Sequence, residues 1–275
     1  IRGAPRDALI ADLTPKEIRG AAYGLRQSLD TIGAFAGPLL AMALMLAWND
    51  DFRAVFWVAV IPGVLAFALI AFAVREPPRA AAPQGPAPRF DRATMRSLGR
   101  VFWSVTLLGG LLTLARFSEA FLILRAQDLG LALALAPLVL VGMNVVFALV
   151  TYPAGKLADR VPARGLLIAG IVALVASDLV LAGATGMGAL AAGVALWGLH
   201  MGLTQGLLAA LVAKAAPAAL RGTAFGIFNL ASGIAMLGAS VLAGALWHYV
   251  GPAATFIAGA ALAAGAAAMT ALAPG

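Results

Sequence analysis

The 275-residue chain is 62% hydrophobic and 11% charged, with a mean hydropathy of +0.96. So few charges cannot cover a water-facing surface, and the apolar runs are long enough to cross a bilayer as helices. The absence of cysteine excludes disulfides, thiolate catalysis and Cys-ligated metals, and no run alternates as barrel strands of ~10 residues do. The net charge of +7 lies in loops between spans, which is the bias of cytoplasmic membrane loops, so no nucleic-acid partner is needed to explain it.

In chain order, Ile1–Asp12 reads as the cytoplasmic end of a cut span, bearing Arg2, Arg6, Asp7 and Asp12. A span over about Gly20–Ala47 follows, then a turn at Trp48–Phe52 and a span over Arg53–Val74 with Pro62 as a kink. Arg75–Ser97, with five prolines among arginines, is predicted to be an extended linker. Six further spans are predicted at about Leu98–Leu124, Leu131–Ala154, Gly165–Gly183, Gly188–Ala213, Leu220–Trp247 and Pro252–Leu272. The implied organisation is residues 1–75 as the rest of a first half, 76–97 as linker and 98–275 as a six-helix second half. Lysines and arginines alternate between loops in a ratio of 13 to 2, the minority being Arg53 and Arg125. That asymmetry puts the linker and the C-terminus in the cytoplasm.

The chain also repeats itself. Pro15, Arg19, Gly20, Ala22, Gly24 and Ile32 match Pro217, Arg221, Gly222, Ala224, Gly226 and Ile234 at an offset of 202 residues. A repeat of that length is half of a molecule, and parallel halves joined by a basic linker make a transporter layout. Tyr152–Arg164, YPAGKLADRVPAR, resembles the signature loop of the major facilitator superfamily, through Gly155, Leu157, Ala158, Asp159 and Arg160; Pro162 and Ala163 depart from it. RGAAYG and the run from Asp30 to Pro38 are similar to bacterial permeases of that superfamily. The resemblance implies an all-α membrane protein, a major-facilitator-type bundle of two pseudo-symmetric halves with the first incomplete. The visible spans would be the end of helix 4, helices 5 and 6, and helices 7 to 12. It further implies a multi-pass protein of the bacterial inner membrane, monomeric, contacting lipid and moving a small solute, with efflux favoured over uptake. An open apolar flank on helices 5, 7, 8, 10 and 11 is expected where opening helices are missing.

Several ionisable residues fall inside spans, where they face protein or water and mark functional candidates. Arg26 and Asp30 lie four apart on one face of helix 5, either at a site or as a neutralised packing pair. Arg116 and Glu119, three apart on helix 7, read as a coupling carboxylate with its partner or as an outer salt bridge. His200, with Thr204 and Gln205 beyond it on helix 10, is a proton or solute group or a packing hydrogen-bonder. Arg2, Arg6 and Asp7 on the helix 4 remnant would complete an arginine-bearing cavity for an anionic or zwitterionic solute. Asp178 reads as an outer-interface residue.

Gly155, Asp159, Arg160 and Arg164, with the matched Arg19 and Arg221, would form a conformational latch, Asp159 sitting against a helix N-terminus. The alternative is a basic loop that only sets topology. Gly33, Gly37, Gly233 and Gly238 read as helix-packing positions. No phosphate loop, hydrolase or metalloprotease signature appears, and no second His lies near His200 in sequence, His248 falling in an outer loop, so metal ligation is not expected. No catalytic residue, metal or cofactor is therefore expected, and H⁺ is the expected coupling ion through Asp30, Glu119 or His200. A membrane enzyme using His200 with the acids, or a channel, stands as the alternative.

Overall fold

The structure is a computed structural model that describes residues 3–48, 51–73, 91–132 and 135–272. The described residues are helical with short turns, in the order α1 (Gly3–Leu13), α2 (Arg19–Ala47), α3 (Phe52–Ala68), α4 (Arg92–Ser97), α5 (Gly99–Ala115), α6 (Ala120–Asp128), α7 (Ala136–Ala158), α8 (Ala163–Ala182), α9 (Met187–Ala215), α10 (Arg221–Tyr249) and α11 (Pro252–Leu272). Among the described residues seven stretches are long and apolar enough to cross a membrane, α5 and α6 counting as one, so the protein is a multi-pass, all-α membrane bundle.

Two compact units are present, Ile1–Ile32 with Pro88–Gly275, and Gly33–Ala87. The second holds the later turns of α2, then α3, which runs through Pro62 and ends in a π turn at Leu69–Ala73. Asp51 starts α3 by accepting from the amides of Arg53 (3.0 Å) and Ala54 (3.2 Å), an N-cap that answers two otherwise unpaired donors.

In the first unit, α8, α9, α7 and α11 pack around Trp197, Phe117, Phe256, Ile171 and Leu174. A second core joins α1, α2, α5, α9 and α10 through Tyr23, Phe102, Val212 and Phe225. The helices approach closely because glycines line the contacts. Along α9, Gly198, Gly202 and Gly206 recur every four residues. A Cβ on Gly198 would strike the Met143 carbonyl of α7, one on Gly202 the side chain of Val150 at 2.7 Å, and one on Gly206 would sit 3.4 Å from the Gly24 Cα of α2.

The repeat is reproduced element by element. Pro15 and Pro217 hold nearly the same backbone (φ −52°, ψ 146° and φ −56°, ψ 143°). Each opens a 3-10 turn, Lys16–Ile18 or Ala218–Leu220, and then a helix of 29 residues, α2 or α10. At the same offset α1 corresponds to the last turns of α9, from Gln205 to Ala215.

Four sequence expectations need correction. The predicted span Leu98–Leu124 is not one helix: Arg116 leaves the helical region (φ −96°, ψ 82°) and α6 begins only at Ala120. A guanidinium, a carboxylate and Ser118 cluster there, Ser118 Oγ accepts from the Ala120 amide (3.3 Å), and Phe117 turns into the core, so local polar chemistry overrides a run that hydropathy reads as continuous. The end of the predicted linker is helical too: α4 is capped by Asp91, which accepts from the Thr94 amide (2.8 Å), and Gly99, at φ 78°, makes the left-handed joint into α5. Residues 74–90, the remainder of that linker, lie outside the described residues. Among the described residues a Cβ on Gly233 would meet nothing within 4 Å and one on Gly238 only Leu114 at 3.8 Å, while Cβ atoms on Gly33 and Gly37 would meet nothing of their own unit; these are not the close-packing positions. Finally, exposed apolar residues are found as expected on α2 (Leu25, Leu29), α5 (Val101, Leu107), α7 (Leu138, Leu149) and α10 (Leu230, Ile234, Leu237, Val241), but not as a flank on α9, the most enclosed span among the described residues.

Candidate functional site

Four charged side chains of α1 and α2 come together. Arg26 Nη1 lies 2.9 Å from Asp30 Oδ2, one helical turn on, and its Nε lies 3.6 Å from Asp7 Oδ1. Arg6 spans the same two carboxylates, 3.1 Å from Asp30 and 3.7 Å from Asp7. The inner pair is Arg26 and Asp7, with side chains 16% and 12% exposed, while Arg6 (41%) and Asp30 (44%) open outward. Tyr23 fixes α1 on α2 by donating its hydroxyl to the Asp7 carbonyl (2.5 Å). Arg2 lies outside the described residues.

A second assembly joins the α7–α8 loop to the start of α2. Asp159 accepts from the amides of Gly20 (2.7 Å) and Ala21 (2.8 Å), so its carboxylate sits on the positive end of the helix. Gly155 makes this possible: a Cβ there would collide with the Gly20 carbonyl, and a Cβ on Gly20 would lie 2.6 Å from Asp159 Oδ1. Arg19 donates to the carbonyls of Ala11 (2.7 Å) and Thr14 (3.2 Å) at the end of α1, and its counterpart Arg221 pairs with Asp12. Arg164 instead reaches the Ala271 carbonyl of α11. Arg160 is exposed, at a cleft of about 1060 Å³ that it shares with Lys16, Arg19, Asp159, Lys214 and Arg221.

The remaining candidates are scattered. Arg116 and Glu119 sit in the α5–α6 break rather than on one helical face, and no ion pair within 4 Å joins them among the described residues. His200 is 2% exposed, and its Nδ1–H donates to the Gly170 carbonyl of α8 (2.8 Å), since a carbonyl can only accept. It therefore faces a neighbouring helix. Gln205 is half-buried beyond it. Asp178 is not at an interface with water: it is wholly buried among α8, α11 and Phe117.

Comparison with known proteins decides the family. The chain matches the Major Facilitator Superfamily over residues 3–235 and again over 105–274. It belongs to that superfamily. An uncharacterised MFS-type transporter of the archaeon Methanocaldococcus jannaschii is 30% identical over 269 residues, covering 96% of this chain and 66% of the relative. An uncharacterised protein of Mycobacterium tuberculosis is 25% identical over 269 residues, covering 90% of this chain and 61% of its own length. The chain thus spans under two thirds of the relatives it matches. Solved structures share the fold: the proton:xylose symporter XylE (TM-score 0.75, 18% identity, covering 98% of this chain and 67% of that one) and FucP in its outward conformation (TM-score 0.74, 17% identity, 97% and 72%). The human organic anion transporter MFSD10 is similar in the same way (TM-score 0.72, 17% identity, 97% and 67%).

Set within a Major Facilitator bundle, two features were not singled out from the sequence. Arg125 lies in an apolar stretch and reads as a loop charge, yet it is buried and donates to the carbonyls of Leu181 (3.0 Å), Ala182 (3.3 Å) and Ala184 (2.8 Å), closing the C-terminal end of α8 while paired with Asp128. The α9 glycines were visible as a four-residue spacing in WGLHMGLTQG, a signal overshadowed by the titratable His200 between them.

Proposed function

We propose that this protein is a secondary active transporter that carries a small polar solute by alternating access, its two repeats rocking against each other. The observation that carries this reading is the quartet of Arg6, Asp7, Arg26 and Asp30. Arg26 and Asp30 stand about 10 and 16 Å along α2 from its first residue, at 1.5 Å per residue, well inside a hydrocarbon layer of ~30 Å. Charges exposed to lipid at that depth are costly, so the open sides of Arg6 and Asp30 belong against water or solute. The acids balance the arginines, which favours a zwitterion over an anion: guanidinium grips its carboxylate and Asp30 its ammonium.

Asp30 and Glu119 are the coupling carboxylates in this reading, and H⁺ is the ion. His200, held on Gly170, acts chiefly between helices. The Asp159–α2 contact is the latch that closes the cytoplasmic side, with the bacterial inner membrane as the location, a monomer as the working unit and efflux as the direction. Reconstitution in proteoliposomes tests this with radiolabelled amino acids as zwitterionic probes. Saturable flux that depends on a pH gradient and is lost in Arg26→Ala is expected. Flux indifferent to collapse of that gradient removes the coupling; a non-saturating conductance or a covalent product replaces the transporter with a channel or an enzyme.

A further inference from the structure

Asp178 stands in the second half of α8, in surroundings unlike those of the quartet. It is 0% exposed, and neither of its carboxyl oxygens has a hydrogen-bond partner among the described residues. Three elements meet around it. The position of a Cβ on Gly259 of α11 would be 2.6 Å from Asp178 Oδ2, 2.9 Å from Phe117 Cε1 and 3.2 Å from the Ala115 carbonyl. Only glycine leaves the carboxyl room there. Ala115 ends α5 and Phe117 lies in the α5–α6 break, which leaves the carbonyls of Thr113, Leu114 and Ala115 without a backbone amide donor among the described residues. A cavity of about 10 Å³, the size of one water, is lined by Leu114, Phe117, Thr255 and Gly259, and Phe117 and Gly259 are also the residues that meet at the Asp178 carboxyl.

Among the described residues no cation forms an ion pair with this side chain. On α9 the titratable groups are His200, engaged with Gly170 about 12 Å down α8 at 1.5 Å per residue, and Lys214 in the last turn. α11 has no titratable residue. α7 offers Lys156 and Tyr152 only at its far end, and on α6 Arg125 is committed to the end of α8 and to Asp128. Arg116 and Glu119 flank the break without an ion pair to Asp178 within 4 Å. An ionised carboxylate with neither donor nor counter-ion is the costly form in such a place, whereas a carboxylic acid has an O–H to offer the freed carbonyls.

We propose that Asp178 is a proton-binding site of the second bundle, protonated while enclosed between α8, Gly259 and the α5–α6 break, and discharged when that break opens. This rests on the alternating-access reading above. On opening, water enters through the small cavity, the carboxyl O–H bond breaks, the proton passes to that water and the electron pair stays on Asp178. Closure reverses the step.

Infrared spectroscopy of the full chain in nanodiscs tests the site without any solute. Expected is a carbonyl stretch of a protonated carboxyl at neutral pH, lost in Asp178→Asn and shifted in Gly259→Ala, whose methyl crowds Oδ2. The shift keeps the assignment open to test if Asp178→Asn does not fold. Deuterium exchange of that band should accelerate several-fold in Asp159→Ala, which loosens the bundle contact. Absence of the band, or its disappearance when sodium replaces potassium, overturns the proton site; a band whose exchange is the same in both backgrounds overturns the release step. Because the band is read without flux, a chain that moves no solute yet shows the band and its faster exchange upholds the proton site and sinks only the transporter reading.

Discussion

Asp159 answers two successive amides at the start of α2 with its two oxygens, a task that no neutral side chain performs equally well. Asp159→Ala should cost about 1–2 kcal/mol of stability, the usual value of an N-cap, and Asp159→Asn less, because one oxygen remains to accept. Thermal unfolding of the three proteins in one detergent checks that order, and equal losses for Asn and Ala would remove the two-oxygen account. Arg26 plays the corresponding part in the quartet, touching both Asp7 and Asp30 from the inner side. Arg26→Ala should therefore destabilise by about 2 kcal/mol or more, since it strands the inner carboxylate of Asp7, and Arg6→Ala, on the open side, by less than about 1 kcal/mol. Adding Asp7→Asn to Arg26→Ala should restore part of the loss. An Arg6→Ala loss as large as that of Arg26→Ala would mean that exposure is not what separates them.

Between elements, glycine positions decide how near the helices come, and the gap in helix 7 decides what they enclose. Gly155 on α7 meets the Gly20 carbonyl, so Gly155→Ala must push α2 away and is expected to cost about 1–3 kcal/mol, whereas Gly165→Ala, with nothing within 4 Å, should change stability by less than about 0.5 kcal/mol. Thermal unfolding of the two variants side by side is the check, and equal losses would dismiss the close-approach account. Much of this was legible beforehand. The spans followed from hydropathy, and the starts of α2 and α10 fell within one residue of the expected Gly20 and Leu220, the 202-residue echo of a proline and an Arg-Gly pair preceding both. The Asp159 cap followed from the signature loop. What stayed hidden depends on tertiary contact: Arg116 to Glu119 look helical until Phe117 finds its place against Trp197 (ring centroids 5.4 Å apart), and the depth of Asp178 is set by α11, more than 70 residues away.

Taken whole, the first unit is pinned where equivalent residues of the two repeats meet. Tyr23 and Phe225 are 202 apart in sequence, and their rings lie 6.1 Å apart, so any twofold relating α2 to α10 passes close to this pair. The cap of Asp159 on α2 and the pair of Arg221 with Asp12 lie on the same elements. If alternating access parts the repeats at this end, Tyr23 and Phe225 must separate in the other state. Because the chain has no cysteine of its own, Tyr23→Cys with Phe225→Cys gives an unambiguous cross-linking pair. A short bismaleimide should join them quickly in the closed arrangement. Adding Asp159→Ala, which takes about 1–2 kcal/mol from that arrangement alone, should slow the joining several-fold, as a shift of 1.4 kcal/mol changes a two-state population tenfold. An unchanged rate would show that the cap does not bias the opening of this end, and the latch would then reduce to a loop that sets topology.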